Sequence, residues 1–197
     1  DIAGIYDPSE NDFTIDMWKN SNGEKILEII SKLEKLNLSK DASNILNISL
    51  LTNSYIPEKN INNEEFLKIK SDWLLKQKNL DLIEIYLIKN KNLKNNSDLI
   101  EYYVNYYLSR SDLKKSCDIF NNLNMKFDND YLIKFKIYCL INSNKNEEAQ
   151  LHLDLFKEEG FEDNFFEKKF FYLIGYEEEP NLEISEETLL DFHLSHR

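Results

Sequence analysis

An all-α fold, built as a right-handed α-solenoid of helix-turn-helix repeats, is the architecture this 197-residue sequence predicts. A period of 33 residues carries the prediction. With residues 66–87, 99–120 and 132–153 set in register, Leu74 aligns with Tyr107 and Leu140, Leu75 with Leu108 and Ile141, and Leu87 with Phe120 and Leu153. Such a period marks stacked units, each too small to bury its apolar face alone. Chain breakers are also scarce: 4 Gly and 3 Pro fit long helices joined by short polar turns, not the many turns of a sandwich or barrel. With 42% hydrophobic and 13% aromatic residues, the chain has the apolar material for a core.

Residues 1–20 show no sustained period and read as an extended N-terminal arm that Ile5, Tyr6, Phe13, Met17 and Trp18 pin to the body. Residues 21–197 form the helical-repeat domain. Its N-terminal capping pair, 21–56, opens at Ser21 or Asn22 with a stripe of Ile26, Leu27, Ile29, Ile30 and Leu33. Ser39 caps a second helix carrying Ala42, Ile45, Leu46, Leu50 and Leu51 before the break at Pro57. Three repeats fill 62–160. Their first helices start at Asn62 or Asn63, at Ser97, and at Asp128 to Asp130, and their second helices cover 80–89, 113–123 and 146–159. Polar turns lie at 78–79, 110–112 and 142–145, and Gly160 is the closing C-terminal cap. A C-terminal pair, 163–197, has helices at 164–174 and from Ser185 onward, separated by Gly175 and Pro180. The stripe Leu189, Leu190, Phe192 and Leu194 is still running at Arg197, and the chain opens on Asp1 without a Met. The natural protein is therefore expected to continue past 197 and to have been shortened at its start.

The net charge is −12, and it is unevenly spread. Residues 158–191 hold twelve acidic and two basic side chains, residues 1–22 five and one, and residues 23–157 nineteen and twenty. A neutral body with acidic ends speaks against nucleic acid or an anionic membrane surface, which need clustered Lys and Arg. No stretch reaches the roughly 18 to 20 apolar residues of a membrane-spanning helix, so no direct membrane insertion is expected. The acidic end reads as a solvated face or as a docking patch for a basic partner.

Within the repeats, Ala149 and Ser116 stand where a small residue lets the second helix approach the first, with Ile83 departing from the pattern; Leu153, Phe120 and Leu87 follow four positions later. Ser71, Val104 and Ile137 take the weaker small position of the first helix, and a repeat-closing Pro is absent. This pattern resembles the tetratricopeptide repeat. A second resemblance rests on Trp18-Lys19-Asn20-Ser21, Ser116-Cys117, and the block from Tyr138-Cys139 through Leu151-His152-Leu153-Asp154-Leu155 to Glu159-Gly160 and Asp163. Together these are similar to an uncharacterised alphaproteobacterial helical-repeat family. That resemblance implies an exported protein of the periplasm or cell envelope with a further C-terminal region; the alternative location is cytoplasmic.

Tetratricopeptide repeats turn certain side chains into a concave groove, and in this sequence those positions are Lys68, Asp72, Lys76, Glu101, Asn105, Lys134, Tyr138 and Asn142. Mixed charge around the Tyr138 aromatic suits a partner-binding groove for a peptide or protein subunit. The same inner face could equally be an ordinary solvated surface. Cys117 and Cys139 are too few for a disulfide scaffold and lack metal spacing. They fall on neighbouring helices of successive repeats and could form one bond, or remain two buried thiols acting as small apolar side chains. His193 and His196 stand at i, i+3 with Asp191 near, an ordinary surface pair or a metal site recruiting ligands from elsewhere. No third ligand is spaced for a metal, no phosphate loop, nucleophile elbow or dinucleotide fingerprint occurs, and the expectation is a noncatalytic protein without metal or cofactor. The leading reading is thus a scaffold or protein–protein interaction module of unknown partner. The alternatives are a structural end segment of a longer solenoid, self-associating through the exposed stripe of its C-terminal helix, and a metal-binding protein or enzyme using His193 and His196.

Overall fold

A computed structural model describes residues 2–91, 96–123 and 127–197, with the side chain of Glu34 left aside. The stretches 92–95 and 124–126 of the expected 62–160 repeat span lie outside the described residues. The described chain is all-α apart from one small ribbon. Its helices are α1 (Gly23–Glu34), α2 (Lys40–Leu51), α3 (Asn63–Gln77), α4 (Leu80–Lys89), α5 (Ser97–Leu108), α6 (Leu113–Asn122), α7 (Asp130–Asn142), α8 (Asn146–Glu158), α9 (Asn164–Leu173) and α10 (Leu189–Leu194). The chain divides into two compact units, Asp1–Leu99 and Ile100–Arg197.

In the first unit, short polar side chains start each helix by accepting a free backbone N–H of the first turn. Asn22 accepts from Lys25, Ser39 from Ala42 and Asn79 from Leu82. Asn62 and Glu65 form a reciprocal capping box at α3. Behind these caps, Leu50, Leu51, Phe66, Trp73, Leu74, Ile83 and Leu87 are fully buried, and the Trp73 Nε1 donates to Asn47 Oδ1 at 2.6 Å.

The arm is docked more firmly than its lack of period suggests. Strand β1 (Ile2–Ala3) pairs antiparallel with β2 (Ser54–Tyr55), Ala3 opposite Ser54. Ile5 then donates its backbone N–H to Leu51 O at 2.6 Å, and Trp18 donates Nε1 to Ser49 O at 3.3 Å. Gly4 is required here: a Cβ would stand 2.6 Å from Asn53 N and 2.7 Å from Leu51 O. Asn90, at the end of α4, accepts from Gly4 N at 3.1 Å and donates to Gly4 O at 3.0 Å. Two-residue strands carry no readable alternation, which is why the sequence pattern does not announce this ribbon.

The second unit holds α5 to α10. Ser116 is fully buried, and its hydroxyl donates to Val104 O at 3.1 Å, so the small residue lets α6 sit directly on α5. Ala149 on α8 is equally buried, against α7. The turns between helices repeat in local detail. Lys78, Ser111 and Asn144 adopt left-handed φ of 51°, 60° and 58°, spaced 33 residues apart like the apolar pattern. Asp112 N–H reaches back to Tyr107 O at 3.0 Å, and Lys145 N–H to Leu140 O at the same distance. These backward bonds satisfy orphan carbonyls at the helix ends.

Candidate functional site

The expected groove residues fall into two groups. Lys68, Asp72 and Lys76 lie on α3 in the first unit, where Lys68 and Asp72 form an exposed i, i+4 ion pair of 3.0 Å and Lys76 is exposed. Glu101, Asn105, Lys134, Tyr138 and Asn142 lie on α5 and α7 in the second unit. Glu101 and Asn105 are half-buried and Asn142 is exposed, its Nδ2 donating to Tyr138 O at 2.9 Å.

Lys134 and Tyr138 correct the expectation of an open groove. Separated by one helical turn, they share a face of α7, and both are buried, at 7% and 1% exposure. The chain's own C-terminal helix is what covers them. Lys134 Nζ donates to Asp191 Oδ1 on α10 at 3.3 Å and to Asp163 Oδ2, at the start of α9, at 2.8 Å. Asp163 is itself the α9 cap, accepting from Phe166 N at 2.9 Å through its other oxygen. Asp191 Oδ2 accepts from the Thr188 hydroxyl at 2.7 Å, and Thr188 in turn caps α10 by accepting from Asp191 N at 3.1 Å. One turn along, the Tyr138 hydroxyl meets His193 Nε2 at 3.0 Å, with the rings edge to face at 5.6 Å. Tyr131, nearer the start of α7, is bonded to Asn105 on α5.

The electrostatics follow from this closure. Burial by itself would lower the Lys134 ammonium, but hydrogen bonds and charges from Asp163 and Asp191 outweigh it and hold the pKa above the ordinary lysine value. Burial, then the Arg197 charge, push His193 down, favouring a neutral ring against the Tyr138 hydroxyl. Tyr131 is pushed up by burial first and by the Glu101 carboxylate second. The arrangement seats α10, through Asp191 and His193, on the Lys134 and Tyr138 face of α7.

The expected C-terminal stripe is also corrected. Leu190 and Leu194 are buried at 0% and 1% exposure, and Phe192 alone of the stripe stands exposed. The apolar surface expected to drive self-association is therefore turned into the chain's own second unit. His196 rests its ring on Phe192 at 4.8 Å instead of facing a shared ligand with His193. Among the described residues, no group of three His, Cys, Asp or Glu side chains is arranged to hold a metal ion.

Cys117 on α6 and Cys139 on α7 are joined by a disulfide. No family model, curated protein or solved structure matches this chain.

Asp163, Thr188 and Asp191 complete the site, and sequence reasoning passed over them as partners of Lys134. A signal was present. An acid between Leu190 and Leu194 on an apolar face is costly to bury without a cation, so Asp191 implied a hidden lysine or arginine.

Proposed function

We propose that this protein is a noncatalytic interaction module built of tetratricopeptide-like repeats of the α-solenoid class, whose first-helix faces hold a helical segment of a partner. The observation that carries the reading is the seating of α10 on Lys134 and Tyr138. A face assigned to ligand binding by the repeat pattern is occupied here by a short helix bearing a carboxylate, an imidazole and two buried leucines. That is the helix-in-groove mode of recognition, with the chain supplying its own ligand. The equal spacing of the three left-handed turn residues supports the repeat assignment. No helix is long and apolar enough to cross a membrane among the described residues, which fits a module acting on a protein partner. The Cys117–Cys139 bond supports an oxidising compartment, the periplasm or cell envelope, over the cytoplasm.

The partner segment on this reading is a short amphipathic helix carrying Asp or Glu, which competes with α10 for Lys134. A fluorescent peptide covering residues 183–197, titrated into the full chain and into its Asp191→Lys variant, tests it. Like charge against Lys134 should release α10 in the variant and let the peptide bind in trans, while the unaltered chain excludes it. Failure of the peptide to bind a variant shown open by hydrogen exchange at 189–194 would reject the reading. Binding that survives a further Lys134→Glu change would do the same.

A further inference from the structure

A cleft of about 700 Å³ opens between α6, α7 and α8, on residues of α7 other than Lys134 and Tyr138. Its size lies within the roughly 300–1,000 Å³ range of small-molecule sites. Phe120, Ile137, Leu155 and Phe156 supply apolar walls, and the Cys117–Cys139 disulfide borders it. Five titratable groups line it: Lys136, Lys145, Glu148, His152 and Glu159. Lys145 and Glu148 are an ion pair at 3.2 Å, and Glu159 is engaged in an interaction of its own. Lys136 differs from them. It is half-buried and has no hydrogen bond or ion pair among the described residues. Burial lowers its pKa against a partial pull upward from Glu148. His152 beside it is pushed down by burial and by the Lys136 charge.

A partly desolvated cation with no carboxylate in hydrogen-bond contact, Glu148 acting on it only from a distance and already paired with Lys145, is an incomplete ion pair, and the apolar volume next to it defines what would complete it. We propose that this cleft binds an amphipathic monocarboxylate, its carboxylate on Lys136 Nζ and its hydrocarbon body against Phe120, Ile137, Leu155 and Phe156. The cleft is independent of α10 and of any helical partner.

Titration calorimetry of the disulfide-intact full chain with decanoate and with 2-naphthoate, below any micellar concentration, tests this and separates an aliphatic from an aromatic source. Saturable binding of either acid is expected, with decanol and decylamine binding at least about tenfold more weakly. Lys136→Gln, which keeps the stem length and removes the charge, should abolish the preference for acid over alcohol. Leu155→Glu, at a wall residue 48% exposed, should weaken both probes with the helical circular dichroism unchanged. Absence of saturable binding by both acids, or equal binding of decanoate and decanol to the unaltered chain, would overturn the proposal. So would affinity for decanoate that survives both substitutions.

Discussion

Two buried lysines show how local partners decide the state of the same side chain. Lys70 lies fully buried on α3, donating to Ala3 O at 2.5 Å with no carboxylate to meet it among the described residues, and burial lowers its pKa to about 7. Lys134 is buried against two aspartates and is raised. The consequence for Lys70 has a definite sign. Its folded pKa lies below its ordinary value of 10.5, so between pH 7 and pH 10.5 the unfolded chain binds the extra proton and stability rises with pH. Below pH 7 both states are protonated and this contribution to the slope vanishes. Urea unfolding at pH 7 and pH 9 should show the first unit gaining about 2 kcal/mol from this group. Lys70→Met should flatten that rise; an unchanged slope in the variant would show that another group titrates. For Lys134, substitution by Met leaves the buried Asp191 and the half-buried Asp163 without their cation and should cost about 3 kcal/mol in the second unit. The exchange of α10 amides with deuterium should accelerate at the same time.

Among the helices, α10 and α7 are opposite cases. With six residues, α10 is too short to persist by itself, since nucleation is unfavourable and few bonds follow it. It exists because Leu190 and Leu194 are buried and Thr188 caps it. Leu194→Ala should therefore melt this helix selectively, seen as lost protection at residues 189–194 while α7 and α8 keep theirs. The disulfide acts on longer elements, tying α6 to α7 across 22 residues of sequence. Closing a loop of that length restricts the unfolded chain by about 3 kcal/mol. The paired Cys117→Ala and Cys139→Ala variant should lose that amount in denaturant unfolding and melt lower. The start of α10 also shows a limit of pattern reading. The sequence starts this helix at Ser185, but the Ser185 backbone N–H donates to the Ser195 hydroxyl at 2.9 Å, and Thr188 caps the helix instead.

Across the molecule, charge is the property that no single element owns. A net charge of −12, with twelve acids between 158 and 191, makes the folded chain repel itself at neutral pH. Raising NaCl from about 20 mM to about 300 mM should screen this and raise the melting temperature by about 2–4 °C. A melting point insensitive to salt would mean the acids are already compensated by specific pairs. The two compact units also divide the predictions: Lys70 reports on the first, Lys134 and the disulfide on the second.

The all-α class, the bounds of α4 at Leu80–Lys89, the cap at Ser39, the start of α1 at Ser21 or Asn22 and of α3 at Asn62 or Asn63, and the turns at 78, 111 and 144 were legible in the sequence. They depend on apolar period and on side chains bonding backbone within four residues, and both are local. The ribbon of the arm, the burial of Lys70, and the covering of Lys134 and Tyr138 were not. Each rests on residues far apart in the chain: Ala3 with Lys70, Gly4 with Asn90, Lys134 with Asp191, Tyr138 with His193. A repeat pattern states which side of a helix a residue takes. Only the tertiary structure decides whether that side meets water or another segment of the same chain, because desolvation depends on what arrives there and not on the residue itself.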